Sequence, residues 1–156
     1  MGGNPTLEEF GKNLETSRFA ALHHQLPPHA QRDCHWDLLL EPPTFAPCGL
    51  LTFETTTPPG EWVNHTLTLK RLPDHRSIYL DYEGPISGDR GQVKRVLAGT
   101  IQWKVFQMDL LVLSIRQTWP NDSDANCLFG IAKLQEKQGD RWELEWRPEV
   151  EHYENI

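Results

Sequence analysis

An all-β fold, a closed or partly open β-barrel of about eight strands with a short N-terminal helix on the outside, is what this sequence predicts. Three observations carry the prediction. Short apolar runs alternate with polar residues at period two along most of the chain. Turn signals separate those runs at short intervals, as at Pro42-Pro43, Thr57-Pro58-Pro59-Gly60 and Gly84-Pro85. Helical periodicity is confined to one segment near the N-terminus. With 156 residues the chain suits one domain with a sizeable core.

Taken in order, residues 1–5 read as a frayed tail. Thr6-Leu7-Glu8-Glu9 fits a capping box, and Leu7, Phe10 and Leu14 then share a helical face, so a helix is expected over 6–16. Arg18 to Leu22 reads as a strand that runs into His23-His24. Gln25 to Asp33, with Pro27 and Pro28, reads as a loop. His35 to Glu41 is the next strand. Its alternation sends Trp36, Leu38 and Leu40 to a core face and His35, Asp37, Leu39 and Glu41 to the other.

Leu50 to Thr55 alternates Leu51 and Phe53 with Thr52 and Glu54, and residues 65–72 place Leu67, Leu69 and Arg71 on one face. Ser77 to Tyr82 alternates as well, ahead of a glycine-rich loop at 84–91. Strands follow at 92–97 and 100–106, parted by Ala98-Gly99, then at 109–116 and 127–136, which flank a polar loop at Pro120-Asn121-Asp122-Ser123. Trp142, Leu144 and Trp146 mark the last strand. The expected organisation is a tail and helix at 1–17, a β-domain at 18–147 and a loose acidic tail at 148–156. Trp103, Trp142 and Trp146 at period two are expected in the core, with Tyr82 and Cys34. Asp81 and Glu83 are expected as turn and loop carboxylates. Trp62 and Trp119, in loops, are the better candidates for exposed contacts.

Composition narrows the function. Charged residues make up 24% and hydrophobic residues 38%, which argues a globular fold rather than wholesale disorder. A formal charge of −7 disfavours a protein that grips long nucleic acid through its backbone. It leaves room for binding at an end or at a single phosphate. No apolar run of about 18 residues suggests a membrane span. Nor does the N-terminus carry the basic and apolar regions of a secretory signal, so a cytoplasmic location is expected. The three cysteines, Cys34, Cys48 and Cys127, are too scattered for a zinc knuckle or a disulfide scaffold.

Chemistry concentrates in the histidines. Seven are present, and His23, His24, His29 and His35 lie close together in sequence. His35 and Asp37 share a strand face, and another histidine closes the preceding strand. Two imidazoles and one carboxylate make a facial set that leaves coordination positions open for water and substrate. A second polar pair, His75 and Tyr79, flanks the glycine-rich loop. Such a set suits manganese or another divalent transition ion better than structural zinc, which takes four protein ligands.

These residues carry a family resemblance. Arg18-Phe19 leading into His24, the stretch His35-Trp36-Asp37-Leu38-Leu39-Leu40-Glu41, and the stretch Asp74-His75 through Tyr79 to Glu83-Gly84 resemble the 3′-phosphoesterase domain of bacterial DNA ligase D. Gly99-Thr100 before Ile101-Gln102-Trp103 resembles a fourth, weaker block. The likeness spans roughly residues 18–147. It implies a manganese-bearing β-barrel in which His24, His35 and Asp37 hold the metal and His75 and Tyr79 contact the scissile phosphate. By position His24 is favoured, with His23 and His29 as alternatives; His29 would give the family-like spacing to His35. The implied activity is removal of a 3′-phosphate or a 3′-terminal ribonucleoside in DNA repair by non-homologous end joining. The implied partners are a nucleic-acid 3′ end or a small phosphate ester, and a separate ligase or polymerase, with no membrane and a monomeric protein. The chain departs from the pattern at Leu39, where the family has a phosphate-binding arginine, and near Leu67, where it has a second. Arg71, Arg76 and Arg90 are the foremost candidates to replace them, with Lys94 and Arg95 behind. The alternative reading is a catalytically weak or inactive module of the same fold that binds ends or proteins.

Overall fold

A computed structural model describes residues 16–46, 48–120 and 129–149. The helix expected over 6–16 lies outside these residues apart from Thr16, as do the polar loop beyond Pro120 and the acidic tail beyond Glu149. The strands are β1 (Ser17–Gln25), β2 (His35–Leu40), β3 (Leu50–Thr55), β4 (Thr66–His75), β5 (Gly84–Pro85), β6 (Gln92–Phe106), β7 (Leu110–Trp119), β8 (Phe129–Gln138) and β9 (Arg141–Pro148). They form one antiparallel sheet in the order β1-β2-β3-β4-β9-β8-β7-β6-β5, and β1 also pairs with β6. That last pairing closes the hydrogen bonding into a ring, so neither β1 nor β6 presents a long bare edge. The fold is all-β, as its alternating pattern predicts.

The period-two pattern sorts side chains into two apolar clusters on opposite sides of this ring. The larger takes residues from all the long strands, among them Phe19, Leu38, Leu40, Phe53, Leu69, Leu113 and Leu134. Trp103, Trp142 and Trp146 lie in it, as expected. The smaller cluster lies on the outer face of β1, β2, β3 and β6. Ala20, Leu22, Leu39, Leu50 and Val93 form its floor, and Leu80, Tyr79, Tyr82 and Ile86 cover it. The non-core face of β2 is therefore also buried, and Leu39 is 0% exposed. The covering segment is pinned to the sheet by ion pairs of Asp81 with Arg18 and Arg95 and by the Arg95 N–H donating to Glu83 at 2.8 Å.

Several expectations are corrected. Ser77–Leu80 is a single 3-10 turn and not a strand. Its N–H groups are satisfied locally, Tyr79 donating to the Arg76 carbonyl and Asp81 to that of Ile78, each at 3.1 Å. Residues 92–106 form one continuous strand instead of two. Gly99 is not a turn there; it admits the neighbouring strand, because a Cβ would overlap the Arg116 carbonyl oxygen. Trp62 is buried, tucked in by the 3-10 turn at Pro59–Glu61, with its Nε1–H donating to Thr57 at 2.7 Å. Trp119, at the end of β7, stays partly exposed beneath the Arg95 guanidinium. Cys34 is exposed rather than in the core, and Tyr82 is half-buried over the outer cluster.

Because Leu39 is packed on all sides, Leu39→Ala is expected to lower unfolding free energy by about 2–5 kcal/mol. Urea denaturation measures this directly. A change near zero would mean that the outer cluster is not a second core.

Candidate metal centre

Strand register builds the site. In the β1–β2 pairing His24 lies opposite His35 and Leu22 opposite Asp37. In the β2–β3 pairing Asp37 lies opposite Glu54. Residues directly across an antiparallel pair share a face. His24, His35, Asp37 and Glu54 therefore project together on the outer face, beside the smaller apolar cluster. Ligand atoms of His24, His35 and Asp37 all lie within 4.8 Å of one another. The same register sends His23 to the other side, where its ring stacks on Trp36 at a centroid separation of 4.6 Å and 14° between planes. His29 sits on an exposed loop and contacts Asp89 at 2.9 Å. Of the three histidines open from the sequence, the structure brings His24 to His35 and Asp37.

Each ring is held by its far nitrogen. His24 Nε2 contacts the Arg90 carbonyl at 2.7 Å, and His35 Nδ1 faces the Asp33 carbonyl at 3.3 Å. With the proton on those nitrogens, His24 Nδ1 and His35 Nε2 turn bare lone pairs toward Asp37. Gly91 makes the first contact possible. Its φ of +83° and its lack of a Cβ let the loop close against the Gln25 backbone, which sets the Arg90 carbonyl over His24. Backbone carbonyls on the outer nitrogens are the usual supports of ligating imidazoles.

The inner separations are too long for a shared proton, and that of His35 and Asp37 fits adjacent donors of one ion. His35 Nε2 lies 3.4 Å from Asp37 Oδ1, and His24 Nδ1 lies 4.0 Å from Asp37 Oδ2. An N–H···O bond would draw the atoms to about 2.9 Å. Donors about 2.1 Å from one cation stand roughly 3.0–3.4 Å apart. Asp37 is 4% exposed, and its Oδ1 is buried without a hydrogen-bond partner. Burial first, and the Glu54 carboxylate second, push the Asp37 pKa up to about 7. Burial also lowers the pKa of His35 and so keeps the ring neutral. A divalent cation would satisfy the orphaned oxygen and favour the ionised carboxylate. The two imidazoles and the carboxylate can hold such an ion with coordination positions left open.

A cleft of about 280 Å³ opens beside these donors. His24 and Asp37 line it from β1 and β2, His75 from the end of β4 with Arg76 just beyond, and Tyr79 and Arg90 from the covering segment. His75 Nδ1 contacts the Pro73 carbonyl at 3.0 Å, which leaves Nε2 for the cleft. The 3-10 turn folds Tyr79 back so that its ring meets His75 edge-on at 5.7 Å. The Arg90 guanidinium is spent on Ser87 at 2.7 and 3.2 Å, so its contribution here is its carbonyl. Arg71 is not brought to the cleft. It leaves from the face of β4 that pairs with Phe53, and its guanidinium lies over the Phe53 and Trp142 rings at 5.1 and 5.6 Å. Arg76 lines the cleft as an exposed cation.

Two residues escaped the sequence reading. Glu54 had a signal, since it lies on the polar face of a strand adjoining β2. Arg32, which contacts Glu54 at 2.6 Å, comes from an irregular loop and had none. The chain matches no protein-family model and no curated protein.

The shift at Asp37 has a stability signature. Its folded pKa of about 7 lies above the ordinary 3.8, so its favourable contribution is complete below 3.8 and is lost as pH rises through about 7. The cost of keeping it charged is on the order of 4 kcal/mol. Chelator-treated wild type should therefore lose stability across that window relative to Asp37→Asn, and a divalent ion should restore it. The comparison isolates Asp37 from His35, whose lowered pKa acts in the opposite sense. Parallel unfolding curves at every pH would contradict the burial argument.

Proposed function

We propose that the protein is a divalent-metal-dependent phosphoesterase that acts on nucleic-acid 3′ ends, removing a 3′-phosphate or a 3′-ribonucleoside in end repair, with manganese as the resident ion. The observation that carries the reading is one cleft lined jointly by His24 and Asp37 and by His75, Tyr79 and Arg76. A site built only to stabilise the fold has no use for an imidazole, a phenol and a guanidinium set beside an open metal site.

When bound, the ion supplies Lewis-acid polarisation of a phosphoryl oxygen and a place for water. The chain's own groups do the rest. His24, His35 and Asp37 fix the ion against the sheet. His75, with Nδ1–H anchored on the Pro73 carbonyl, presents Nε2 as the proton-transfer atom: it accepts a proton in the neutral ring and, as the imidazolium, protonates a leaving oxygen or donates to a phosphoryl oxygen. Tyr79 donates a hydrogen bond to the same group. Arg76 supplies the charge-assisted contact that Leu39 does not. The modest cleft and the net negative charge fit a terminal phosphate rather than a stretch of backbone. A separate ligase or polymerase would then take up the processed end.

A second reading, a module that binds ends without turning them over, draws on one observation. Leu39 is sealed in the outer apolar cluster and Arg71 is stacked on aromatic rings, so neither position brings a cation to the cleft.

Incubation of a primer ending in a 3′-phosphate or one 3′-ribonucleotide with manganese separates the two. Wild type should process it, His35→Ala should not, and His75→Ala should fall by about 100-fold or more. Arg76→Ala should raise KM more than it lowers kcat. Binding of the end by wild type without any processing would favour the second reading.

A further inference from the structure

Glu54 stands beside the centre without a role in the reading above. It is directly opposite Asp37, its side chain is only 13% exposed, and its Oε1 lies 3.6 Å from His35 Nε2. That nitrogen thus faces two carboxylate oxygens, Asp37 Oδ1 at 3.4 Å and Glu54 Oε1 at 3.6 Å. One neutral imidazole offers at most one proton there, and its Nδ1 already faces the Asp33 carbonyl. A bare lone pair between two ionised carboxylates is repulsive, and a cation between them would remove the repulsion. Neither separation is short enough for a hydrogen bond, and both are close to those of donors around a single ion.

We propose that Glu54 is a fourth protein ligand of the metal centre, positioned by Arg32. The proposal rests on the metal-centre reading and deepens it. Two carboxylates and two neutral imidazoles would balance the charge of a divalent ion in a site shielded from water. Arg32 Nη2 donates to Glu54 Oε1 at 2.6 Å from an exposed loop. Ligating carboxylates are commonly hydrogen-bonded from outside, and that contact orients Glu54 toward His35. The centre then takes one ligand from β1, two from β2 and one from β3. His24 and Asp37, which line the cleft, would keep the ion reachable from it.

Titration calorimetry of Mn2+ into chelator-stripped protein tests this, paired with the absorption spectrum of the Co2+ form, which reports the ligand set. His35→Ala should abolish measurable binding. Glu54→Gln, nearly the same size, should weaken it roughly 100-fold and change the Co2+ spectrum. Glu54→Asp keeps the charge but withdraws it by one methylene, so it should also weaken binding about 10-fold or more. Arg32→Ala should cost roughly 10-fold and leave the Co2+ spectrum close to that of wild type. If Glu54→Asp binds like wild type, the charge acts through space and the proposal fails. If Glu54→Gln matches wild type in affinity and spectrum while His35→Ala does not bind, Glu54 is no ligand although the metal centre stands. If His35→Ala binds like wild type, the metal-centre reading falls and this proposal with it.

Discussion

The buried carboxyl of Asp37, whose Oδ1 has no hydrogen-bond partner among the described residues, is the constraint on which the rest of the site depends. Its ionised form is tolerated there only when something compensates the charge. The side chains around it could hold a cation. Both neighbouring imidazoles are tied back by their far nitrogens to backbone carbonyls. The Arg32 guanidinium, whose charge acts to lower the Asp37 pKa, is spent on Glu54. Burial works on Asp37 and His35 in opposite directions, raising one pKa and lowering the other, and both shifts remove charge from the unliganded pocket.

Ring closure of the sheet makes such an arrangement affordable. With the larger core filling one side of the ring, the outer face of β1, β2 and β3 is free to be specialised. It is divided between an apolar half, with Leu39 and Leu50, and a polar half, with His24, His35, Asp37 and Glu54. The segment 77–91 covers the first and supplies groups to the second. Leu80 and Ile86 pack downward, while Tyr79 and the Arg90 carbonyl reach the donors or the cleft beside them. Leu39 takes its meaning from this division. In this chain the position two residues beyond Asp37 belongs to the packing half, and the exposed Arg76 lines the cleft.

Much of the fold was legible in the sequence because a half-buried strand writes its period directly. The core tryptophans at 103, 142 and 146 and the facial pair His35 and Asp37 followed from alternation alone. The failures have physical causes. Alternation over Ser77–Tyr82 mimicked a strand, but the sheet offered that segment no partner and its N–H groups closed locally. Gly99 resembled a break because close approach between strands and chain reversal both select glycine. Choosing among His23, His24 and His29 required the β1–β2 register, which depends on contacts across a loop rather than on local pattern. Glu54 and Arg32 are non-local in the same sense: their place beside His35 exists only once three segments are paired.

The central claim, that His24, His35 and Asp37 converge on a divalent ion, is tested most directly by anomalous diffraction from crystals grown with manganese. One strong peak is expected about 2.0–2.3 Å from His24 Nδ1, His35 Nε2 and an Asp37 oxygen, absent after chelation. Full occupancy at another site with none at this one, or a His24 ring turned away from Asp37 in the loaded crystal, would contradict it.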